Sequence, residues 1–343
     1  MLRQLESIPQ GLLQVGAKGL AEALGGPTLI HLPGAREEPL FISVLMHGNE
    51  TVGWEAVRRV LARYQGERGL PRAVSLFIGN VEAAAKGVRR LSGQPDYNRV
   101  WPTCEMPASP EREMMAEVVE IMRERRPFAS IDVHNNTGLN PHYACVNRLE
   151  TTYLHLALLF GRTVVYFLRP RGVQSMAFAE LCPAVTLECG KVGQAHGVEH
   201  AAEYLDACLH LSEHPQHPVA PQDIDLFHTV ARVTVSPEAQ IAFAPAAGDI
   251  VLEPDLDRLN FQELAPGTPI GRVNGRGLGL LDVRDEKGRD VNRDYFDLDG
   301  DLLTLKRAVM PSMLTRNIEV IRQDCLCYLM ERYDRILNAN QRD

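Results

Sequence analysis

The sequence predicts an α/β protein with a mixed, mostly parallel sheet flanked by helices and a smaller, β-rich domain at its C-terminus. From about residue 28 to 215, short β-branched and apolar runs alternate with stretches of helical periodicity. A proline-rich stretch, SEHPQHPVAPQD, follows at 212–223. Beyond it, short apolar runs are separated by clusters of Gly, Pro and Asp, which is typical of a β-rich domain.

The elements of the first part follow from periodicity and from the residues that end each run. GWEAVRRVLARYQ (53–65) is predicted to be a helix because apolar residues recur at 54, 57, 60 and 61. Pro127 ends a second predicted helix, EREMMAEVVEIMRERR. A third helix is predicted at 196–211, and the predicted strands are 39–46, 72–80, 129–136, 163–168 and 183–190.

The proline-rich stretch is interpreted as a linker between two domains, residues 1–213 and 222–343. In the second domain, FHTVARVTV, QIAFA, DIVLE, TPIGRV, GLGLLDVRD and LLTLKRAVM are predicted to form short strands. The final stretch, IEVIRQDCLCYLMERYDRILNA, is predicted to be a helix that ends this domain.

Composition excludes several classes of partner. The formal net charge of -8 argues against a nucleic-acid surface, which would carry a basic excess. No window approaches 18 uninterrupted apolar residues and the N-terminus does not resemble a signal peptide, so neither a membrane span nor secretion is expected. Seven irregularly spaced cysteines favour a reduced, cytoplasmic compartment. The oligomeric state stays open, a homo-oligomer included.

Reactive side chains fall where three predicted strands end. His47 and Glu50 follow the first strand, His134 ends the strand at 129–136, and Glu188 ends the strand at 183–190. Ligands bind beyond the carboxyl ends of strands in open α/β sheets, so a parallel arrangement would bring these four groups to one edge.

Two histidines and one carboxylate are a typical catalytic zinc ligand set, because they leave a fourth position for water. His47, Glu50 and His134 would be the ligands, and Glu188 could take a proton from that water and pass it to a leaving amine. Asp132 lies on the same face of its strand as His134 and could orient that imidazole. Each piece alone has a structural explanation: H-x-x-E recurs by chance, and a glutamate after a strand can cap a turn.

PDYNRVW (95–101) carries a pair of donors that suits a carboxylate. The guanidinium of Arg99 forms a planar fork, and the amide of Asn98 adds another N–H. Arg89 and Arg90 offer a further cation upstream. A solvated arginine beside a turn asparagine is the structural alternative.

Taken together, four motifs resemble those of the succinylglutamate desuccinylase/aspartoacylase family of the zinc carboxypeptidase clan. They are HGNE at 47–50, Asp-x-Asn-Arg at 96–99, DVHNN at 132–136 and TLECGK at 186–191, in the family's order and at about its spacing. The similarity is strong over roughly residues 35–200 and holds only in outline beyond them.

The resemblance implies a zinc-carboxypeptidase-like fold and one zinc ion per chain held by His47, Glu50 and His134. It further implies Glu188 as general base and acid, and Asn98 and Arg99 as the clamp for a substrate carboxylate. Arg90 is the nearest match to the arginine that polarises the scissile carbonyl, with Arg89 as the alternative. Tyr295 is the candidate for a substrate-binding tyrosine from the C-terminal domain.

The function expected from these residues is hydrolysis of the amide bond of an N-acylated amino acid or a similar small amide that carries a carboxylate. Two alternatives stay open: a metallocarboxypeptidase acting on short peptides, and a non-catalytic protein of the same fold that binds a metal or small ligand. The ligand set also accommodates iron, cobalt or nickel.

Overall fold

The computed structural model describes residues 2–66 and 69–333, and the chain divides into two compact units. Unit 1 comprises Met1–Asn135, His142–Tyr166 and Pro170–Asp225. Unit 2 comprises Asn136–Pro141, Phe167–Arg169 and Leu226–Asp343. Two short segments that precede the proline-rich stretch thus belong to unit 2. No helix in the described ranges is both long and apolar enough to cross a bilayer.

Unit 1 alternates strands and helices. Its strands are β1 (Arg3–Leu5), β2 (Thr28–Leu32), β3 (Gly34–Val44), β4 (Leu70–Ile78), β5 (Ala129–Asn136), β6 (His142–Val146), β7 (Thr163–Tyr166) and β8 (Ala184–Lys191). Its helices are α1 (Leu20–Leu24), α2 (Val52–Arg63), α3 (Val81–Lys86), α4 (Pro110–Arg125), α5 (Thr151–Leu158), α6 (Gln174–Phe178) and α7 (Ala195–His210). The predicted α/β class is confirmed.

The strands of unit 1 lie in the order β1-β2-β4-β3-β5-β8-β6-β7. β3 is parallel to both β4 and β5, whereas β2 is antiparallel to β4 and β6 is antiparallel to β8. Strand β3 is buried from Pro39 to Val44, and β5 is buried throughout, because both are covered by neighbouring elements. Strands β2 and β6 were not predicted from the sequence, and they make the sheet mixed.

Unit 2 contains two groups of paired strands. Its elements are β9 (Asp225–Val235), β10 (Ile241–Phe243), β11 (Ile250–Leu252), β12 (Pro269–Val273), β13 (Leu281–Asp285), α8 (Asn292–Tyr295), β14 (Phe296–Asp299), β15 (Leu302–Leu305), β16 (Met310–Ser312), α9 (Ile318–Gln323) and β17 (Cys327–Arg332). β9 pairs antiparallel with β13 and β17, and β10, β11, β12, β15 and β14 form a five-stranded sheet. The β-rich character expected of this region is confirmed.

The long final helix predicted over 318–339 is wrong for the described residues. Only Ile318–Gln323 is helical, and the side chain of Asn317 caps it by accepting a hydrogen bond from the Val320 amide. Cys327–Arg332 is a strand because it pairs with β9 and β16. A short apolar run suits a buried strand as well as a helix, so tertiary pairing decides its conformation. Residues 334–339 of the predicted helix lie outside the described residues.

Candidate metal centre and active site

The chain turns sharply after β3 and presents His47 and Glu50 on the same side of the turn. Leu45 adopts a φ of 58°, which is uncommon for a residue other than glycine and marks a strained backbone. The amide of Glu50 donates to the carbonyl of His47 at 3.1 Å, which closes the turn. Gly48 is required here, since a Cβ at this position would lie 2.3 Å from the backbone of Ala83.

His134 reaches the same place from β5. Because β3 and β5 are parallel and Val44 pairs with Val133, the residues just beyond these two positions lie side by side. The ligand atoms of His47, Glu50 and His134 all lie within 4.8 Å of one another. Nδ1 of His47 is 2.8 Å from one carboxylate oxygen of Glu50, and Nδ1 of His134 is 2.7 Å from the other. The three predicted metal ligands are therefore brought together, and all three are buried.

The outer nitrogen of each imidazole faces a second carboxylate. Nε2 of His47 lies 2.9 Å from Oδ1 of Asp96, and Nε2 of His134 lies 2.7 Å from Oδ2 of Asp132. The hydroxyl of Ser43 donates to the remaining Asp132 oxygen at 2.7 Å. Such carboxylates fix the ring orientation of metal-binding histidines and raise their basicity. Asp132 was expected in this position, whereas Asp96 was noted only as part of a motif.

The charges within the cluster stabilise one another. Burial raises the pKa of Glu50, but the attraction of His47 and His134 outweighs burial and holds that pKa below its usual value. Burial lowers the pKa of His134, but Asp132 and Glu50 outweigh it and hold that pKa well above its usual value. Both shifts favour the charged forms of Glu50 and His134, because each group lies against the opposite charge of the other.

Glu188 lies on β8 and is only 6% exposed. Burial is the main cause that raises the pKa of Glu188 to about 8; His134 opposes this shift, and the negative charge of Glu50 reinforces it. The carboxyl group of Glu188 thus interacts electrostatically with the cluster of His47, Glu50 and His134, which we call the metal-candidate cluster. A carboxyl group whose pKa lies near neutrality can both accept and return a proton at physiological pH.

Two neighbouring arginines point to different partners. Arg89 places Nη1 3.4 Å from Oε1 of Glu50 and Nη2 3.1 Å from Oδ2 of Asp96. Arg90, which the sequence favoured as the carbonyl-polarising residue, donates instead to the backbone carbonyl of Gln94 at 2.8 Å. The guanidinium that contacts the metal-candidate cluster is therefore that of Arg89.

Asn98 and Arg99 lie in the loop between α3 and α4. Oδ1 of Asn98 accepts a hydrogen bond from the Gln174 amide at 3.0 Å, and Nδ2 lies 3.2 Å from Nε2 of His134. Asn98 is 6% exposed, so its amide is held at the edge of the cluster. Arg99 donates from Nη1 to the carbonyl of Asn98 at 2.8 Å. The role of Asn98 and Arg99 as a clamp for a substrate carboxylate stays a prediction.

Tyr295 belongs to unit 2, at the end of α8. Its side chain packs in the apolar core of that unit and is 6% exposed. The guanidinium of Arg307 lies 5.1 Å from the centre of its ring, and burial raises the pKa of the phenol. The role of Tyr295 in substrate binding stays a prediction.

Asn135 is a buried polar residue of this region to which the sequence analysis assigned no role. It is 4% exposed and contacts Glu50, Val52 and Gly190. Its place directly after His134 in DVHNN is the signal that could have identified it. A buried asparagine beside a candidate ligand must satisfy both ends of its amide.

Comparison with known proteins identifies the family. Residues 38–211, just over half of the chain, match the model of the succinylglutamate desuccinylase/aspartoacylase catalytic domain. The chain belongs to this family, as its motifs suggested. A search of curated proteins by sequence finds no match.

Solved structures share the fold over most of the chain. A succinylglutamate desuccinylase from Vibrio parahaemolyticus superposes with a TM-score of 0.59 at 15% identity, covering 89% of this chain and 86% of that one. The enzyme of the same name from Chromobacterium violaceum gives 0.55 at 19% identity, covering 87% and 86%. Murine aminoacylase 3 gives 0.50 at 15% identity, covering 87% and 95%. At these identities the likeness establishes the fold.

Proposed function

We propose that this protein is a zinc-dependent hydrolase that cleaves the amide bond of an N-acylated amino acid or a similar small amide bearing a carboxylate. The observation that carries the proposal is the convergence of the buried His47–Glu50–His134 cluster with the buried carboxyl group of Glu188. Membership of a family named for two hydrolases of acylated amino acids supports the same reaction class.

The donor set fits zinc. Nδ1 of His47, Nδ1 of His134 and one oxygen of Glu50 form the two-histidine, one-carboxylate set that catalytic zinc sites use. Asp96 and Asp132 hold the outer imidazole nitrogens, so each ring can present an unprotonated Nδ1 to one ion per chain. When bound, zinc supplies Lewis acidity and lowers the pKa of a water molecule to about 7.

Glu188 is proposed as the group that moves the proton. As a carboxylate it accepts a proton from the attacking water, and as a carboxylic acid it returns that proton to the nitrogen of the leaving amine. The amide carbon–nitrogen bond breaks, and the products are a carboxylate and a free amine. A pKa raised by burial suits both halves of this cycle near neutral pH.

The remaining predicted residues bind the substrate and its developing charge. We assign the guanidinium that stabilises the oxyanion to Arg89 in place of Arg90, because Arg89 contacts Glu50 whereas Arg90 binds the Gln94 carbonyl. Asn98 and Arg99 are proposed to hold the substrate carboxylate, since Nδ2 of Asn98 lies beside His134 and the Arg99 guanidinium binds the backbone carbonyl of Asn98. Tyr295 is retained as a substrate-binding candidate.

The seven cysteines form no disulfide, which supports a cytoplasmic, reducing location for the hydrolase.

The proposal is tested by metal analysis of the purified protein together with a turnover screen over N-acetyl, N-succinyl and N-formyl amino acids. We expect about one zinc per chain, lost in His47→Ala, and release of a free amine from at least one substrate. His142→Ala is a matched control, because the Nδ1 of His142 faces His200 instead of the cluster.

Zinc binding without turnover of any amide would favour the non-catalytic alternative. Turnover confined to peptides of four or more residues would favour the carboxypeptidase. Absence of metal from carefully prepared wild-type protein would contradict the zinc-dependent mechanism.

A further inference from the structure

We propose that Asn135 is a positioning residue that holds the metal-binding Glu50 and the proton-transferring Glu188 in a fixed relation. This inference rests on the proposed function, because the roles of both glutamates come from it. Asn135 is buried on β5 directly after His134, and its hydrogen bonds reach the turn after β3, the start of α2 and the end of β8. Through one residue, the segments that carry both glutamates are tied to the strand of His134.

The first contact is made by the backbone. The Asn135 amide donates to Oε2 of Glu50 at 3.3 Å, and the same oxygen lies 2.7 Å from Nδ1 of His134. Two successive residues of β5, His134 and Asn135, therefore contact the carboxylate of Glu50. The backbone of Asn135 thus helps to hold the Glu50 carboxylate against His134.

The second contact is made by the side-chain carbonyl. Oδ1 of Asn135 accepts a hydrogen bond from the Val52 amide at 3.1 Å. Val52 is the first residue of α2, where the amides have no partner within the helix. Thr51, at the N-cap position, provides no side-chain cap, so Asn135 supplies from a distant strand what an N-cap residue ordinarily supplies. This bond fixes the chain two residues after Glu50.

The third contact is made by the side-chain amino group. Nδ2 of Asn135 donates to the carbonyl of Gly190 at 3.1 Å. Gly190 lies two residues after Glu188 and has a φ of 70°, a left-handed conformation that favours glycine. The bond therefore holds the end of β8 at the point where the strand leaves its regular geometry, and so holds the backbone that carries Glu188.

The two side-chain contacts together require an amide. Asn135 is 4% exposed, so water has little access to replace either bond. Aspartate can accept from Val52 but cannot donate to Gly190, and its carboxylate oxygen would face a carbonyl oxygen. Alanine provides neither contact. Replacement of Asn135 by alanine thus removes both side-chain contacts, whereas replacement by aspartate removes only the contact with Gly190.

The test compares Asn135→Ala with Asn260→Ala, a matched control in unit 2. Asn260 is 6% exposed and, like Asn135, uses both ends of its amide, through bonds to Asp257 and Leu314. Zinc affinity is measured by competition with a chelator. The values of kcat and KM are measured at saturating zinc, and the free energy of unfolding is measured by chemical denaturation. These readouts separate a positioning effect from a general loss of stability.

For Asn135→Ala we expect zinc affinity to fall about 10- to 100-fold and kcat at saturating zinc to fall at least about 10-fold. Asn260→Ala is expected to lose similar stability while zinc affinity and kcat per folded molecule stay within about twofold of wild type. If Asn135→Ala behaves like Asn260→Ala, Asn135 is only structural and the inference is overturned.

Asn135→Asp provides a second, foldable variant, because it keeps the bond to the start of α2 and places a negative charge there. We expect Asn135→Asp to retain zinc and to lose kcat about 10-fold or more, since only the Gly190 contact is broken. A kcat equal to that of wild type would overturn the link to Glu188. A wild-type protein that binds zinc but hydrolyses no amide would instead contradict the proposed function. The zinc measurements would still test whether the side-chain bond from Asn135 to Val52 positions the segment that follows Glu50.

Discussion

Oε2 of Glu50 lies 2.7 Å from Nδ1 of His134, although the two residues are 84 positions apart in the sequence. The parallel pairing of β3 with β5 produces this proximity, because it aligns Val44 with Val133 and so brings the residues beyond each of them side by side. The other oxygen of Glu50 faces His47 at 2.8 Å. One carboxylate thus joins two imidazoles at the position where a metal ion would bind.

Glu188→Gln is expected to retain zinc and lose turnover. Glutamine preserves the shape of the side chain but cannot accept and return a proton, so kcat should fall by about 10²- to 10⁴-fold. Steady-state kinetics on the best substrate and zinc content by elemental analysis measure the two properties. A variant that keeps more than about a tenth of wild-type turnover would remove Glu188 from proton transfer.

The same substitution should change how the stability of the metal-free protein depends on pH. Burial raises the pKa of Glu188 from 4.5 to about 8, so the folded state holds this proton more tightly than the unfolded state. Its contribution to the free energy of unfolding is fully present below pH 4.5 and is lost as the pH rises to about 8.

Relative to Glu188→Gln, wild type should therefore lose on the order of 3–5 kcal/mol of stability across this range. Chemical denaturation at several pH values in the presence of a chelator measures this difference. Parallel pH profiles for the two proteins would show that Glu188 is not protonated preferentially in the folded state.

Arg89→Gln and Arg90→Gln should differ in effect. Arg89 contacts Glu50 and Asp96, so its loss should lower kcat about 10²-fold through weaker stabilisation of the oxyanion. Arg90 binds the carbonyl of Gln94, and its loss should leave kcat within about threefold. Measurement of kcat for both variants at saturating zinc decides whether Arg89 or Arg90 stabilises the oxyanion. The opposite ranking would return the role to Arg90.

Gly48→Ala should disrupt the turn that carries His47 and Glu50. The added Cβ would lie 2.3 Å from the backbone of Ala83, so the turn or α3 must shift, at a cost of about 1–3 kcal/mol. Zinc affinity is expected to fall with it. Gly161→Ala is the matched control, because a Cβ there meets nothing within 4 Å. Equal zinc affinity and stability in the two variants would contradict this account of the turn.

Local sequence patterns were sufficient to predict the α/β class, the strands β3, β5 and β8, and the helices α2 and α7. Each of these elements carries its own signal: a buried apolar run, or apolar residues at helical spacing. His47, Glu50, His134 and Glu188 could be selected because they lie at strand ends, where ligands bind in such sheets. The helix predicted for the C-terminal stretch was wrong because the apolar run at Cys327–Arg332 fits a helix or a strand. Only its pairing with β9 makes it a strand.

The sequence by itself thus determined the class of fold and which residue types stand at the strand ends. Only the tertiary structure decided which of two adjacent arginines faces Glu50, that Asp96 supports His47, and that Asn135 joins three segments. The physical reason is that these are contacts between segments distant in the chain, and their geometry depends on strand register and backbone direction. The spacing of residues along the sequence specifies neither strand register nor backbone direction.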